Sequence, residues 1–124
     1  MARPVLTPGP DHPITVEPTG SRVVVRAGGR VIADTGRALT LREADYPPVQ
    51  YIPLEDVAQG ALRPTDTRTY CPYKGDASYY TLVTADGEVA DAVWTYEKPY
   101  DAVDVIAGYV AFYPKHVEIA VQEG

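Results

Sequence analysis

The most distinctive chemistry-bearing stretch is Tyr70-Cys71-Pro72-Tyr73-Lys74-Gly75. A thiol becomes a nucleophile when a nearby cation or helix N-terminus lowers its pKa. Lys74 follows Cys71 by three residues, a spacing that lets a turn bring the ammonium towards the sulfur. No histidine lies close in sequence to act as its base. An unactivated cysteine behaves as a small hydrophobe and is commonly buried. Cys71 is therefore read first as a packing residue. In an enzyme reading it is the nucleophile, Lys74 lowers its pKa or binds an anion, and Glu43 or a tyrosine moves protons. Pro72 and Gly75 shape the turn.

Aromatic residues supply the second candidate. The chain has ten tyrosines against one phenylalanine and one tryptophan, and every tyrosine falls between Tyr46 and Tyr113. A core built for burial alone favours phenylalanine, which has no hydroxyl to satisfy. In an extended Trp94-Thr95-Tyr96, the indole and the phenol share one face, while Tyr79 and Tyr80 point to opposite faces. These rings can be cross-strand packing or the wall of a pocket with phenol donors at its rim. The candidate ligand-binding set is Tyr51, Tyr73, Lys74, Tyr79, Trp94, Tyr96 and Tyr113.

The remaining polar residues offer less. His12 and His116 have no partner at a metal-ligand offset and are read as exposed and uninvolved. Asp101 and Asp104 share a face only in a helix, and Glu88 and Asp91 fall on opposite faces of a regular strand. No phosphate-binding glycine loop and no Gly-x-Ser-x-Gly elbow is present. No metal site and no cofactor is expected.

These residues must be positioned by short strands. Alternation and β-branched runs predict strands over residues 14–16, 22–26, 30–34, 38–42, 78–84, 88–96, 109–113 and 117–121. Gly28-Gly29 and Asp86-Gly87 mark hairpin turns. The proline-marked segment 45–53 reads as a loop entering a short edge strand. Residues 54–57 read as one helical turn, 63–69 as polar loop, and 101–106 as a short helix. The pattern predicts a mostly β domain of short antiparallel strands, tent-like or barrel-like in its packing, with one or two helical turns. It covers residues 14–124 and follows an extended proline-rich arm over 1–13.

Composition sets outer limits. Eleven Lys and Arg against seventeen Asp and Glu give a net charge of −6, which argues against a nucleic-acid partner. One cysteine precludes an internal disulfide and any zinc site built on cysteine pairs. No apolar run approaches the roughly 20 residues that span a bilayer, and the first 13 residues lack a signal-peptide pattern. The expectation is a cytoplasmic protein with no membrane partner. A small molecule or a peptide is the expected ligand, and an unpaired sheet edge leaves homo-oligomerisation or partner docking open.

A set of motifs resembles the bacterial family called domain of unknown function 427, which also carries a nucleotidyltransferase-like label. The matching residues are Ala33-Asp34-Thr35 with Arg37-Ala38-Leu39, Glu43 with Tyr46-Pro47-Pro48-Val49-Gln50-Tyr51-Ile52-Pro53, and Asp56-Val57. Thr69-Tyr70-Cys71-Pro72-Tyr73-Lys74-Gly75 with Ala77 and Tyr79, Ala92-Val93-Trp94-Thr95-Tyr96 with Pro99, and the 106–113 segment complete them. The resemblance spans about residues 14–121 and implies a compact mostly β fold, similar to the tent-like fold of zinc-bearing exchange-factor relatives and methionine sulfoxide reductases. This chain lacks the four zinc cysteines and a second cysteine to resolve a sulfenic acid. It also lacks the Asp-x-Asp pair that nucleotidyl transfer uses to hold magnesium. A binding module ranks first, an enzyme second and an interaction module third.

Overall fold

Period-two alternation and turn glycines resolve into ten strands in the computed structural model, which describes residues 4–122. They are β1 (Ile14–Pro18), β2 (Arg22–Ala27), β3 (Arg30–Thr35), β4 (Leu39–Glu43), β5 (Val49–Pro53), β6 (Leu62–Cys71), β7 (Gly75–Thr84), β8 (Gly87–Thr95), β9 (Tyr109–Phe112) and β10 (Glu118–Gln122). Two 3₁₀ segments, Leu54–Asp56 and Asp101–Ile106, are the helical elements among the described residues. The first three residues of the expected arm and the last two of the expected domain lie outside the described residues. All strand pairs are antiparallel. One sheet runs β1-β4-β5-β9-β8-β7-β6 and the other β10-β2-β3. The large sheet does not close into a barrel, since β1 and β6 remain its edges.

Gly28 and Gly29, with φ of 58° and 76°, make the expected β2–β3 turn, because both positions need the left-handed region. The next expected hairpin is present but displaced by one residue. β7 ends at Thr84 and β8 starts at Gly87, so Ala85 and Asp86 occupy the tip.

Three expectations are corrected. Residues 63–69 form strand, not loop: they belong to β6, paired with β7. Thr65, Thr67 and Thr69 alternate there with Asp66, Arg68 and Tyr70, so the period of two is present but hardly hydrophobic on a half-solvated edge. Segment 49–53 is not an edge strand, since β5 lies between β4 and β9. Pro47 and Pro48 precede it and Pro53 ends it, so the missing amides fall at or beyond its ends. The 101–106 segment is 3₁₀ and is broken at Val103, whose φ and ψ are −132° and 25°. Strand β8 is also irregular: Asp91 has φ of 54°, and its carboxylate accepts hydrogen bonds from Thr65 and Thr67 of β6.

The large sheet buries side chains on both faces. Val110 and Phe112 of β9 point into a core shared with Val23 and Val25 of β2, Ile32 of β3, Leu82 of β7 and Val93 of β8. The small sheet covers this face. Ala111 of β9 points the opposite way, into a second core with Leu41, Tyr51 and Tyr96. Val103 and Ile106 of the 3₁₀ segment pack into that core as well. Most of the tyrosines belong to this second face, and a cavity opens there.

Candidate functional site

The cavity is built from strand ends that long-range pairing brings together. Cys71 pairs with Gly75, so Pro72, Tyr73 and Lys74 form the hairpin tip between β6 and β7. Gly75 has φ of +111°, and a Cβ there would stand 3.4 Å from the Lys98 carbonyl oxygen. The Lys74 amide donates to the Cys71 carbonyl at 3.2 Å, and the Lys74 carbonyl accepts from the Tyr100 amide at 3.0 Å. These constraints aim the Lys74 side chain. Gly75→Ala is expected to cost about 1–3 kcal/mol, because alanine is strained at that φ, and a lowered urea midpoint at unchanged slope would show it.

Glu43 is the last residue of β4 and pairs with Ile14 of β1. Ala44, with φ of 46°, then turns the chain, and its amide donates to the Pro13 carbonyl at 2.8 Å. This register brings His12 beside Glu43. An ionised carboxylate only accepts, so His12 Nε2–H donates to Glu43 Oε2, at 2.7 Å. Lys74 Nζ donates to Glu43 Oε1. The carboxylate and the ammonium are 14% and 12% exposed. Burial alone pushes the Glu43 carboxyl up, but the hydrogen bonds from Lys74 and His12 overcome it and hold it below its ordinary value. The expectation of an exposed, uninvolved His12 is corrected: it binds Glu43 and stacks on Tyr73 with ring centres 4.0 Å apart. The described part of the arm also docks on the hairpin. The Leu6 amide donates to the Pro72 carbonyl, and the Tyr70 hydroxyl to the Pro4 carbonyl.

Trp94 is the centre of the aromatic wall. It pairs across the sheet with Tyr79 and with Ala111, whose methyl group leaves space beside the indole. The indole lies 4.5 Å from the Tyr113 ring at 48° and meets Tyr51 edge-on at 6.5 Å. Its Nε1–H donates to the Tyr51 hydroxyl at 3.2 Å. Burial raises the Tyr51 and Tyr96 phenols well above their ordinary value and pushes Tyr113, next to the Tyr79 hydroxyl, up to about 12. All three remain O–H donors at neutral pH.

The resulting cavity has a volume of about 170 Å³. Glu43, Lys74, Tyr51, Tyr79, Trp94, Tyr96 and Tyr113 line it, with Leu41, Tyr46, Pro47 and Val49 completing the walls and lip. Two sequence candidates stand elsewhere. Tyr73 lies against His12 outside the cavity. Cys71 is half-buried against the second core and does not line it, and the Lys74 ammonium is paired with Glu43. His12 and the 46–49 lip were not picked out by sequence reasoning. The lip is visible in sequence only as part of the proline-rich family motif, and the register that places His12 has no local signal. A larger hollow of about 330 Å³ on another surface includes Arg68, Ser78 and Glu97, whose charged groups are exposed. Among the described residues, no three His, Cys, Asp or Glu side chains group as metal ligands. Nor is any helix there long and apolar enough to cross a membrane.

Fold and site together define an antiparallel two-sheet β domain with an aromatic-walled cavity over a largely buried ion pair. The chain belongs to the family described as domain of unknown function (DUF427), whose profile, named NTP_transf_9, matches residues 15–123. No curated protein matches it.

Proposed function

We propose that this domain is a binding module for a compact organic molecule of about one ring, held between Trp94 and the surrounding tyrosines. The observation that carries this reading is the convergence of one indole, five phenols and the Glu43–Lys74 pair on a single cavity. Small-molecule sites are concave, largely aromatic or apolar, and carry a few fixed polar groups. An apolar cavity of roughly 150 Å³ accommodates benzene, so about 170 Å³ suits one ring with a small substituent. A peptide can enter only by one side chain. The enzyme reading through Cys71 has less support, because the thiol lies outside the cavity and Lys74 is paired with Glu43.

Trp94 is the only tryptophan, so its emission reports on this cavity alone. Single-ring compounds are expected to change that emission and to raise the melting temperature together. A ligand at 100 times its Kd adds about 2.7 kcal/mol to stability, a shift of several degrees for a domain of this size. If compounds of this size leave both signals unchanged at millimolar concentration, the reading fails.

A further inference from the structure

The polar groups of the cavity are not balanced between donors and acceptors. Glu43 is its only carboxylate among the described residues, and each oxygen accepts a hydrogen bond, one from Lys74 and one from His12. The donors are less occupied. Lys74 has three N–H bonds, and its ammonium has Glu43 as its only hydrogen-bond partner among the described residues. Tyr51 accepts from Trp94 while its own O–H finds no acceptor among them. Tyr96 is 7% exposed, yet its hydroxyl has no hydrogen-bond partner among the described residues. Among the described residues no buried side-chain oxygen lacks a partner, so that hydroxyl reaches open space. The residues that carry these donors line one small open volume, where a single acceptor group can meet several of them.

We propose that the occupant carries an acceptor-only anionic group, a carboxylate on a single planar ring, received by Lys74 and the Tyr96 hydroxyl. The assignment rests on the reading of this cavity as a ligand site. The ring lies against Trp94 and Tyr113, and the carboxylate completes the hydrogen bonds of the ammonium and the phenols. A carboxamide fits less well, because its neutral oxygen accepts from the Lys74 ammonium more weakly than a carboxylate does. A cationic head group fits worst. Tyr96, one of the rings it would need, already has the Lys74 ammonium 5.9 Å from its centroid, and a second cation would meet that charge directly.

The test is titration of the full chain with benzoate, benzamide and benzylamine, followed by Trp94 emission and by the melting temperature. Benzoate is expected to bind tightest, with benzamide weaker because its neutral oxygen accepts more weakly than a carboxylate, and benzylamine at least about tenfold weaker because its ammonium meets the Lys74 charge. Tyr96→Phe keeps the ring and removes one donor, and is expected to weaken benzoate by about tenfold while leaving benzylamine unchanged. Lys74→Met is expected to abolish the preference, provided its melting curve shows a folded protein; Tyr96→Phe keeps the test valid if it does not. Benzamide or benzylamine binding at the same site as tightly as benzoate overturns the carboxylate assignment and leaves the cavity as a ligand site. Unchanged benzoate affinity in Tyr96→Phe also overturns it. Silence of all three probes overturns both readings.

Discussion

Glu43→Ala is expected to destabilise the domain by about 3 kcal/mol, because it leaves the Lys74 ammonium in a largely buried position with no counter-charge. Lys74 is 12% exposed and donates to Glu43. His12 loses its acceptor in the same substitution, which also loosens the arm from β4. Glu43→Gln should cost less, since an amide oxygen still accepts a hydrogen bond from one of the two donors. Removing both charges in Glu43→Leu with Lys74→Met should recover much of the loss, as paired buried charges are often replaced by apolar groups at little cost. Chemical denaturation of the two single variants and the double variant would give the coupling energy. A sum of the single effects equal to the double effect would mean that the ion pair contributes nothing beyond its parts.

The same residue sets a pH dependence. Its carboxyl pKa is lowered in the fold because the donated hydrogen bonds outweigh burial. A group whose folded pKa lies below its unfolded value stabilises the fold above the unfolded value and loses that contribution as pH falls through the folded one. The gap between wild type and Glu43→Gln should therefore be complete above the ordinary value of 4.5 and should close in more acidic solution. A gap independent of pH down to acid unfolding would assign the effect to packing.

What the sequence made legible follows the range of the interactions involved. The Gly28-Gly29 turn needs only two adjacent residues that tolerate positive φ, and it is where the glycines place it. The shared face of Trp94 and Tyr96 follows from strand periodicity, and both line the cavity. The hairpin tip at 72–74 is likewise local. By contrast, Lys74 and His12 are each 31 residues from Glu43, and Tyr51 is 43 residues from Trp94. Those contacts depend on the registers of β1 with β4 and of β5 with β9, which no local pattern encodes. Strand β6 is hidden for a different reason: its outward face meets water and Thr65 and Thr67 bond to Asp91, so it carries little hydrophobic signal. The tyrosine excess acquires a cause in this frame. The first face of the large sheet is sealed by the small sheet and is mostly aliphatic, whereas the second face is partly open and places phenols at the boundary.

Phe112→Ala should cost the fold about 3–5 kcal/mol, the largest single loss expected here, while leaving the cavity nearly intact. Phe112 is 2% exposed in the first core, and it pairs across the sheet with Val93. Removing its ring leaves a void between the two sheets that aliphatic neighbours fill only in part. The next residue, Tyr113, points to the other face, where it lines the cavity and lies against Trp94. Tyr113→Ala should therefore invert the pattern, with a small effect on stability and a large one on any ligand that alters Trp94 emission. Urea unfolding and Trp94 titration on the same two variants separate the possibilities, with binding measured where Phe112→Ala is still folded. If Phe112→Ala weakens ligand binding as strongly as Tyr113→Ala does, the two faces are mechanically coupled through β9. If binding survives, the aliphatic core is a support whose details the site does not feel, and the open face alone determines what the domain binds.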